Sequence, residues 1–290
     1  VFNQNLKGIS EKTSSVPLDL RDEVKLPFFN KNKIFCAKQS YVIKNLIVDK
    51  KMQPLRNSII WCDGRAVDIG NKAFTDLGSE KCMKTLLNSP GNFTASKLAW
   101  VKQNLPNIYD KVYKFMLPGD YLAFKLSGEA STTICGLSEG MFWDFEKNNI
   151  AEYLFDYYGI DSSLCPRVVE NFKDQCYTTK KASEQTGLPI NIPIKYRGGD
   201  QPNNALSLNI LNPGEVAVTA GTSGVIYAIT DKLKSEESLR INNFAHVNYN
   251  KDNAILGKLL CINGVGTVSY THLRAHETRH DLVCRLLLEK

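Results

Sequence analysis

Two Gly-rich segments carry side chains that could do chemistry together. The first is Tyr196-Arg-Gly-Gly-Asp-Gln-Pro-Asn-Asn204. It places a lone carboxylate, Asp200, behind Gly198 and Gly199. Without Cβ atoms, those glycines let a ligand approach the backbone and let Asp200 project from a strand end. The second is Ala220-Gly-Thr-Ser-Gly224, a short turn between β-prone runs. The backbone N–H groups and hydroxyls of Gly221, Thr222, Ser223 and Gly224 suit a phosphate. A base beside a phosphate cradle is the equipment of phosphoryl transfer to a hydroxyl. Taken singly, each segment is ambiguous: Gly-Gly-Asp is a common turn, and Gly-Thr-Ser-Gly fits an ordinary hairpin.

The elements that must hold these segments can be traced by pattern. Apolar runs at 191–195 and 215–219 lead into the two segments, and 225–229 leaves the second. Strands are expected around 192–196, 215–220 and 224–229, with a helix over Pro202–Asn209 between the first two. Asn203 and Asn204 then read as helix-start residues. Upstream, Leu46–Val48, a turn at Asp49–Lys51 and Ser58–Trp61 read as a β-hairpin. Ala66–Leu87 reads as two short helices broken near Gly78. A third helix covers Thr94–Gln103, with Thr94 as N-cap and Pro106 ending it. Pro118 opens a helix through Leu126 that Gly128 closes, and Asn149–Tyr158 forms another stopped by Gly159. Ala254–Leu256 and Lys258–Ile262 read as a paired or buried strand. Strands and helices alternate, so the class is α/β.

Bulk properties narrow the function. The chain has 290 residues, enough for two domains or one large one, and its 43% hydrophobic content is ordinary for a globular protein. No run reaches the roughly 18 apolar residues of a membrane helix. Net charge is +6, but all of it arises in residues 1–60, with 11 Lys/Arg against 5 Asp/Glu; residues 61–290 hold 25 of each. No folded element carries a basic face, which argues against nucleic acid. Eight cysteines are scattered without Cys-x-x-Cys pairs or zinc spacing, and read as reduced core thiols of a cytoplasmic protein. The sequon at Asn92 has no meaning there. Trp61, Trp100 and Trp143 are expected to pack in the core.

Both ends depart from this pattern. Residues 1–45 have weak periodicity, and the chain opens on Val rather than Met, as a cut N-terminus would. Residues 268–290 hold His272, His276 and His280 at spacings that would form one helical stripe. A metal site is not the reading we adopt, because the tail resembles translated sequencing-adapter read-through.

Six ordered segments between residues 46 and 267 resemble the FGGY carbohydrate kinases, and within them xylulokinase-like enzymes. They are Ile59–Arg65, Gly91–Trp100, Met116–Tyr121, Leu137–Asp144, Gly198–Gln201 and Gly221–Gly224. The resemblance implies an actin-like ATPase fold with two RNase H-like domains around a cleft. Residues 46–210 would form the sugar-binding domain and 211–267 the start of the nucleotide-side domain. It implies transfer of the γ-phosphate of ATP, with Mg²⁺, to a hydroxyl of a small sugar, D-xylulose in the first place. Asp200 matches the family's base and Gly221, Thr222, Ser223 and Gly224 its second phosphate loop. Trp61, Asp63 and Arg65 match a motif beside the sugar pocket. Asp63 and Arg65 could instead form a structural ion pair. Gln201 would either touch the sugar or orient Asp200.

Departures from the family pattern are also plain. The first phosphate loop is absent, Tyr41–Asn45 replaces the usual Gln-Met-His-Gly contact, and the adenosine-binding segment is replaced by the tail. This chain alone is therefore expected to lack kinase activity. A related kinase for another ketose or a polyol, and a non-catalytic sugar-binding fragment, remain as alternatives. Sugar and ATP are the implied partners, with homodimer formation left open.

Overall fold

A computed structural model describes residues 46–220, 224–235, 237 and 240–262. The N-terminal segment, Gly221, Thr222, Ser223, the histidine stripe, Cys36 and Cys284 lie outside the described residues.

Strand β1 (Leu46–Val48) opens the described chain and is fully buried. Helices α1 (Val67–Leu77) and α2 (Ser79–Thr85) follow, broken at Gly78 as expected. Helix α3 (Thr94–Asn104) begins one residue earlier than the reading implied: Phe93 is its N-cap and Thr94 its first helical residue. Pro106 does not merely end α3; it occupies the first turn of a further short helix, α4 (Pro106–Tyr109), where a missing N–H costs nothing. Strand β2 (Lys114–Met116) then pairs antiparallel with β1, Ile47 facing Phe115. The expected partner, Ser58–Trp61, does not form that strand. Asp49 does make the turn, accepting from the Lys51 and Gln53 amides at 2.8 and 2.9 Å. A buried strand needs apolar neighbours, and Phe115 and Met116 supply them, whereas Trp61 is 58% exposed.

Helix α5 (Pro118–Ser127) closes at a left-handed Gly128. Strand β3 (Ser131–Thr133) and helix α6 (Ile134–Glu139) come next. Strands β4 (Trp143–Asp144) and β5 (Asn149–Ile150) pair antiparallel. The expected helix from Asn149 is therefore shorter: α7 (Glu152–Tyr158), stopped by Gly159. Strand β6 (Arg167–Val169) lies parallel to β3, and β7 (Cys176–Tyr177) is followed by α8 (Lys180–Thr186) and then its partner β8 (Pro193–Ile194). Helix α9 (Asp200–Ser207) starts two residues before the expected Pro202, so Asn203 and Asn204 lie inside it.

The last elements form an antiparallel sheet. Strands β9 (Val216–Ala220), β10 (Gly224–Thr230), β11 (Ile241–Ala245) and β12 (Leu256–Ile262) adopt the order β11-β12-β10-β9. Of the run 254–262, Leu256–Ile262 is thus a strand, paired with β10 along its length and with β11 over 256–260.

One core dominates the described residues. Phe115 stacks on Phe142 at 4.4 Å, and Phe142 on Phe155 at 4.9 Å. The cluster runs from Ile47 through Leu98 and Leu137 to Phe244, Tyr249 and Leu256. Asn88 and Asn243, 155 residues apart, stitch it with paired bonds: Asn88 Nδ2 donates to the Asn243 carbonyl at 2.6 Å, and the Asn243 amide to Asn88 Oδ1 at 2.8 Å. Beside it, the fully buried His246 ring lies 3.2 Å from the Ile210 carbonyl through Nε2, which must carry the proton. Its Nδ1 therefore accepts from the Tyr227 hydroxyl at 3.1 Å. Burial lowers the His246 pKa to about 4.

Cys82, Cys135 and Cys176 are buried thiols as expected, Cys165 is half-buried, and Cys62 and Cys261 are exposed. Among the described residues, no helix is long and apolar enough to cross a membrane.

Candidate active site

Asp200 is exposed and occupies the first turn of α9. A carboxylate is favoured there, because the helix start presents unpaired N–H groups. Oδ1 accepts from the Gln201 amide at 2.9 Å, and Oδ2 from Gln201 Nε2 at 3.3 Å. Gln201 thus bonds Asp200 with both its amide and its side chain. The preceding turn is built tightly. A Cβ on Gly199 would collide with the Glu139 carboxylate at the end of α6. Asn203 Nδ2 donates to the Gly198 carbonyl at 3.1 Å, while its Oδ1 accepts from the Tyr196 hydroxyl. Phe172 stacks on Tyr196 at 5.3 Å.

Trp61, Asp63 and Arg65 lie together on the loop before α1. Arg65 grips Asp63 with two bonds, Nε to Oδ1 at 2.8 Å and Nη2 to Oδ2 at 2.6 Å. Asp63 Oδ1 also accepts from the Arg65 amide at 3.1 Å. The Arg65 guanidinium stands 4.7 Å over the Trp100 ring. The ion pair read from sequence is thus present, and it leaves the place of this motif beside a sugar pocket as a proposal. Trp61 is not a core residue: its ring is exposed, while its carbonyl accepts from Asn92 Nδ2 at 3.3 Å and Lys97 Nζ at 3.4 Å. Lys97 Nζ donates to the Ile60 carbonyl at 2.6 Å, and Asn92 Nδ2 to the Asp63 carbonyl at 2.8 Å. Trp100 is partly buried and Trp143 buried.

Hydrogen bonding from Arg65 holds the Asp63 carboxyl down to about 2. A carboxyl titration followed by NMR is expected to show that midpoint, with Arg65→Gln restoring it to about 4. The pair's stabilisation is present above the ordinary carboxylate range and lost as pH falls towards 2. It is modest, about 0.2–1 kcal/mol, because both partners are partly exposed.

The loop's second support is a backbone contact. A Cβ on Gly70 of α1 would collide with the carbonyl of Gly91, next to Asn92. Gly70→Ala is expected to push α1 away from that loop and destabilise the chain by about 1–3 kcal/mol, read by urea denaturation. A stability change below about 0.5 kcal/mol, the usual surface value, would show the contact to be soft.

Gly224 begins β10 and pairs with Ala220 and Ile262. The rest of the proposed phosphate cradle, Gly221, Thr222 and Ser223, lies outside the described residues. Among the described residues, no hydrogen bond or ion pair joins Asp63 or Arg65 to Asp200 or Gln201. Four supporting residues were not singled out from sequence: Lys97, Asn92, Asp120 and Arg197. Lys97 carried one signal, a lone cation amid Leu98, Ala99 and Val101 on a helix that is buried on most sides. Asp120 and Arg197 each sit inside a quoted motif, but their partnership is visible only in three dimensions.

Residues 39–207 match the FGGY family of carbohydrate kinases, N-terminal domain. A xylulose kinase of Staphylococcus xylosus is 27% identical over 202 residues, covering 69% of this chain and 42% of that kinase. The structure resembles a xylulose kinase from Rhodospirillum rubrum with a TM-score of 0.74 at 23% identity, over 83% of this chain and 49% of that one. It resembles Plasmodium falciparum glycerol kinase with ADP with a TM-score of 0.68 at 20% identity, over 81% and 47%. The chain thus spans under half the length of these relatives. The fold is the actin-like ATPase fold of these sugar kinases, and with the family matching more than half its length the chain belongs to the FGGY carbohydrate kinases.

Proposed function

We propose that the protein carrying this chain transfers the γ-phosphoryl group of ATP to a hydroxyl of a small sugar, with the ketopentose D-xylulose as first candidate. The observation that carries the transfer is Asp200. It is an exposed carboxylate behind a Gly-Gly turn, and among the described residues its hydrogen bonds come from Gln201. In this reading the sugar hydroxyl donates its hydrogen bond to Asp200. Its oxygen attacks the γ-phosphorus, the bond to ADP breaks, and the proton passes to Asp200 as the new ester forms. Phosphoryl transfer through a loose transition state asks mainly for alignment and charge neutralisation, so the base acts late.

The Gly221–Gly224 turn would cradle the phosphates with backbone N–H groups. Mg²⁺ characteristically binds through one or two carboxylates plus substrate phosphates, and the open carboxylate of Asp200 fits that donor set. The ion would neutralise phosphate charge. Residues 46–210 would supply the sugar side and 211–267 the beginning of the nucleotide side, closing to exclude water. The sugar assignment rests on the xylulose kinases among the relatives. Glycerol is the competing acceptor, since a glycerol kinase shares the fold.

A coupled ADP-release screen of the complete kinase over ketoses and polyols tests both levels. The expected result is Mg²⁺-dependent turnover with preference for D-xylulose. Preference for glycerol or a deoxy sugar would overturn the sugar while leaving the transfer standing. Sugar binding without ADP release would overturn the transfer itself.

A further inference from the structure

Arg197 immediately precedes the Gly198-Gly199 turn and is only 7% exposed. Its donors are spread over three separate pieces of chain. Nη1 donates to Asp120 Oδ1 at 3.3 Å and to the Ser131 carbonyl at 2.8 Å. Nη2 donates to Ser131 Oγ at 2.9 Å, and Nε to Gln175 Oε1 at 3.0 Å. The Arg197 backbone N–H donates to Asn171 Oδ1 at 3.2 Å, which also accepts from Gln175 Nε2 at 3.1 Å. Asp120 is held in turn, because its Oδ2 accepts from the Leu117 amide at the start of α5. The guanidinium thus ties the residue before the turn to α5, to β3 and to the segment before β7.

This network is a poor device for stability alone. Burial outweighs the neighbouring guanidinium and raises the Asp120 carboxyl above its ordinary range. A buried ion pair in general contributes about as much as its desolvation costs, and apolar replacement of both partners is often neutral. What such a network does supply is geometry. Arginine's planar fork fixes direction in a way that a lysine ammonium cannot. Gly198 and Gly199 have no side chains to set their own course. Their path is fixed from outside, by Arg197 on one side and by Asn203 on the other.

We propose that Arg197, clamped by Asp120, Ser131 and Gln175, is a positioning residue for Asp200, setting where the Gly-Gly turn delivers the carboxylate to the acceptor hydroxyl. This rests on the phosphoryl-transfer reading for its kinetic consequence, but not for its structural one. A small cavity lined by Asp120, Thr133, Glu139, Arg197 and Gly199 lies directly behind the turn. If the clamp is removed, the turn loses its anchor on that side, and Asp200 its fixed position.

Two measurements test this. In the complete kinase, the double variant Asp120→Leu/Arg197→Met is expected to keep its melting temperature within a few degrees. Its kcat should fall by at least about tenfold, with the sugar KM changing less than about threefold, as misplacement of a reacting group predicts. Arg197→Lys should not rescue kcat, because it keeps the charge but loses the fork. A folded double variant with wild-type kcat would overturn the proposal, as would full rescue by lysine. If the double variant does not fold, Gln175→Met, which removes one acceptor, is expected to show the same kcat-selective loss in milder form; unchanged kcat there overturns the proposal.

The second measurement is amide exchange across Gly198–Gln201 in the 290-residue chain. The variants should exchange faster there than the parent, with the α3 and β2 amides unchanged. Equal protection at the turn would overturn the proposal even if the parent proves not to be a kinase. Faster exchange in an inactive parent would support the clamp and refute only the transfer reading.

Discussion

Asp200→Asn in the complete kinase is expected to lower kcat by about 10²–10⁴-fold, the usual worth of general-base assistance. The amide keeps the size of the side chain and can still accept from the Gln201 amide, so the start of α9 should hold. What it loses is the charge that receives the hydroxyl proton. Sugar affinity should change little, since an amide oxygen still accepts from a hydroxyl. Thermal stability should hold or rise slightly, because functional carboxylates are often kept at a cost to stability. The assay is steady-state ADP release with sugar varied, beside a melting curve. Retention of more than about a tenth of the wild-type rate falls short of a base effect. The role would then pass to Asp63, the other motif carboxylate, whose pairing with Arg65 would have to open first.

The second large effect is one of pH on stability, through His246. Unfolded, this ring takes up its proton near pH 6.5; folded, it waits until about 4. Between those values the unfolded chain binds more protons, so stability falls as pH falls. At about 1.4 kcal/mol per pH unit, the loss should reach about 2 kcal/mol by pH 5. The physical cause is local. A charged ring would put a proton on Nδ1, where it now accepts from the Tyr227 hydroxyl, in a site closed to water. Below pH 5 the depressed carboxylates of Asp63, Asp76 and Asp174 add their own loss, while Asp120, raised by burial, acts in the opposite sense, so the comparison with a histidine variant is what assigns the slope to the ring. Urea midpoints measured from pH 7 to 5 should slope downwards in the parent and flatten in His246→Gln. A flat parent profile would mean that the ring reaches solvent before unfolding.

What could be read from the sequence was local. Pro118, Gly128 and Gly159 mark helix limits by what their own backbones permit, and they do so in the structure. Asp200 was legible for the same reason, since two adjacent glycines and a following helical pattern announce an exposed carboxylate. The misreadings are long-range. Nothing near Leu46–Val48 says that its partner lies at 114–116. Asn149-Ile150 looks like the start of α7 until Trp143-Asp144 pairs with it. Strand β11 is missing from the sequence reading, and its buried Asn243 finds its partners far away, at Asn88 and Leu87. Arg197 and Asp120 lie 77 residues apart, and only the folded chain shows them as a pair.

The stitch between Asn88 and Asn243 bears on how the chain comes into being. Its main core cannot close on the residues that reach the ribosome exit first, because Phe244, Tyr249 and Leu256 complete the same cluster that Ile47 begins. At roughly 5–20 residues per second, the early half waits on the order of ten seconds or more for its lid during synthesis. Through that interval Phe93 and Phe145 lack the rings of Phe244 and Tyr249 that meet them in the folded chain, and bare aromatic rings are the kind of surface that chaperones hold.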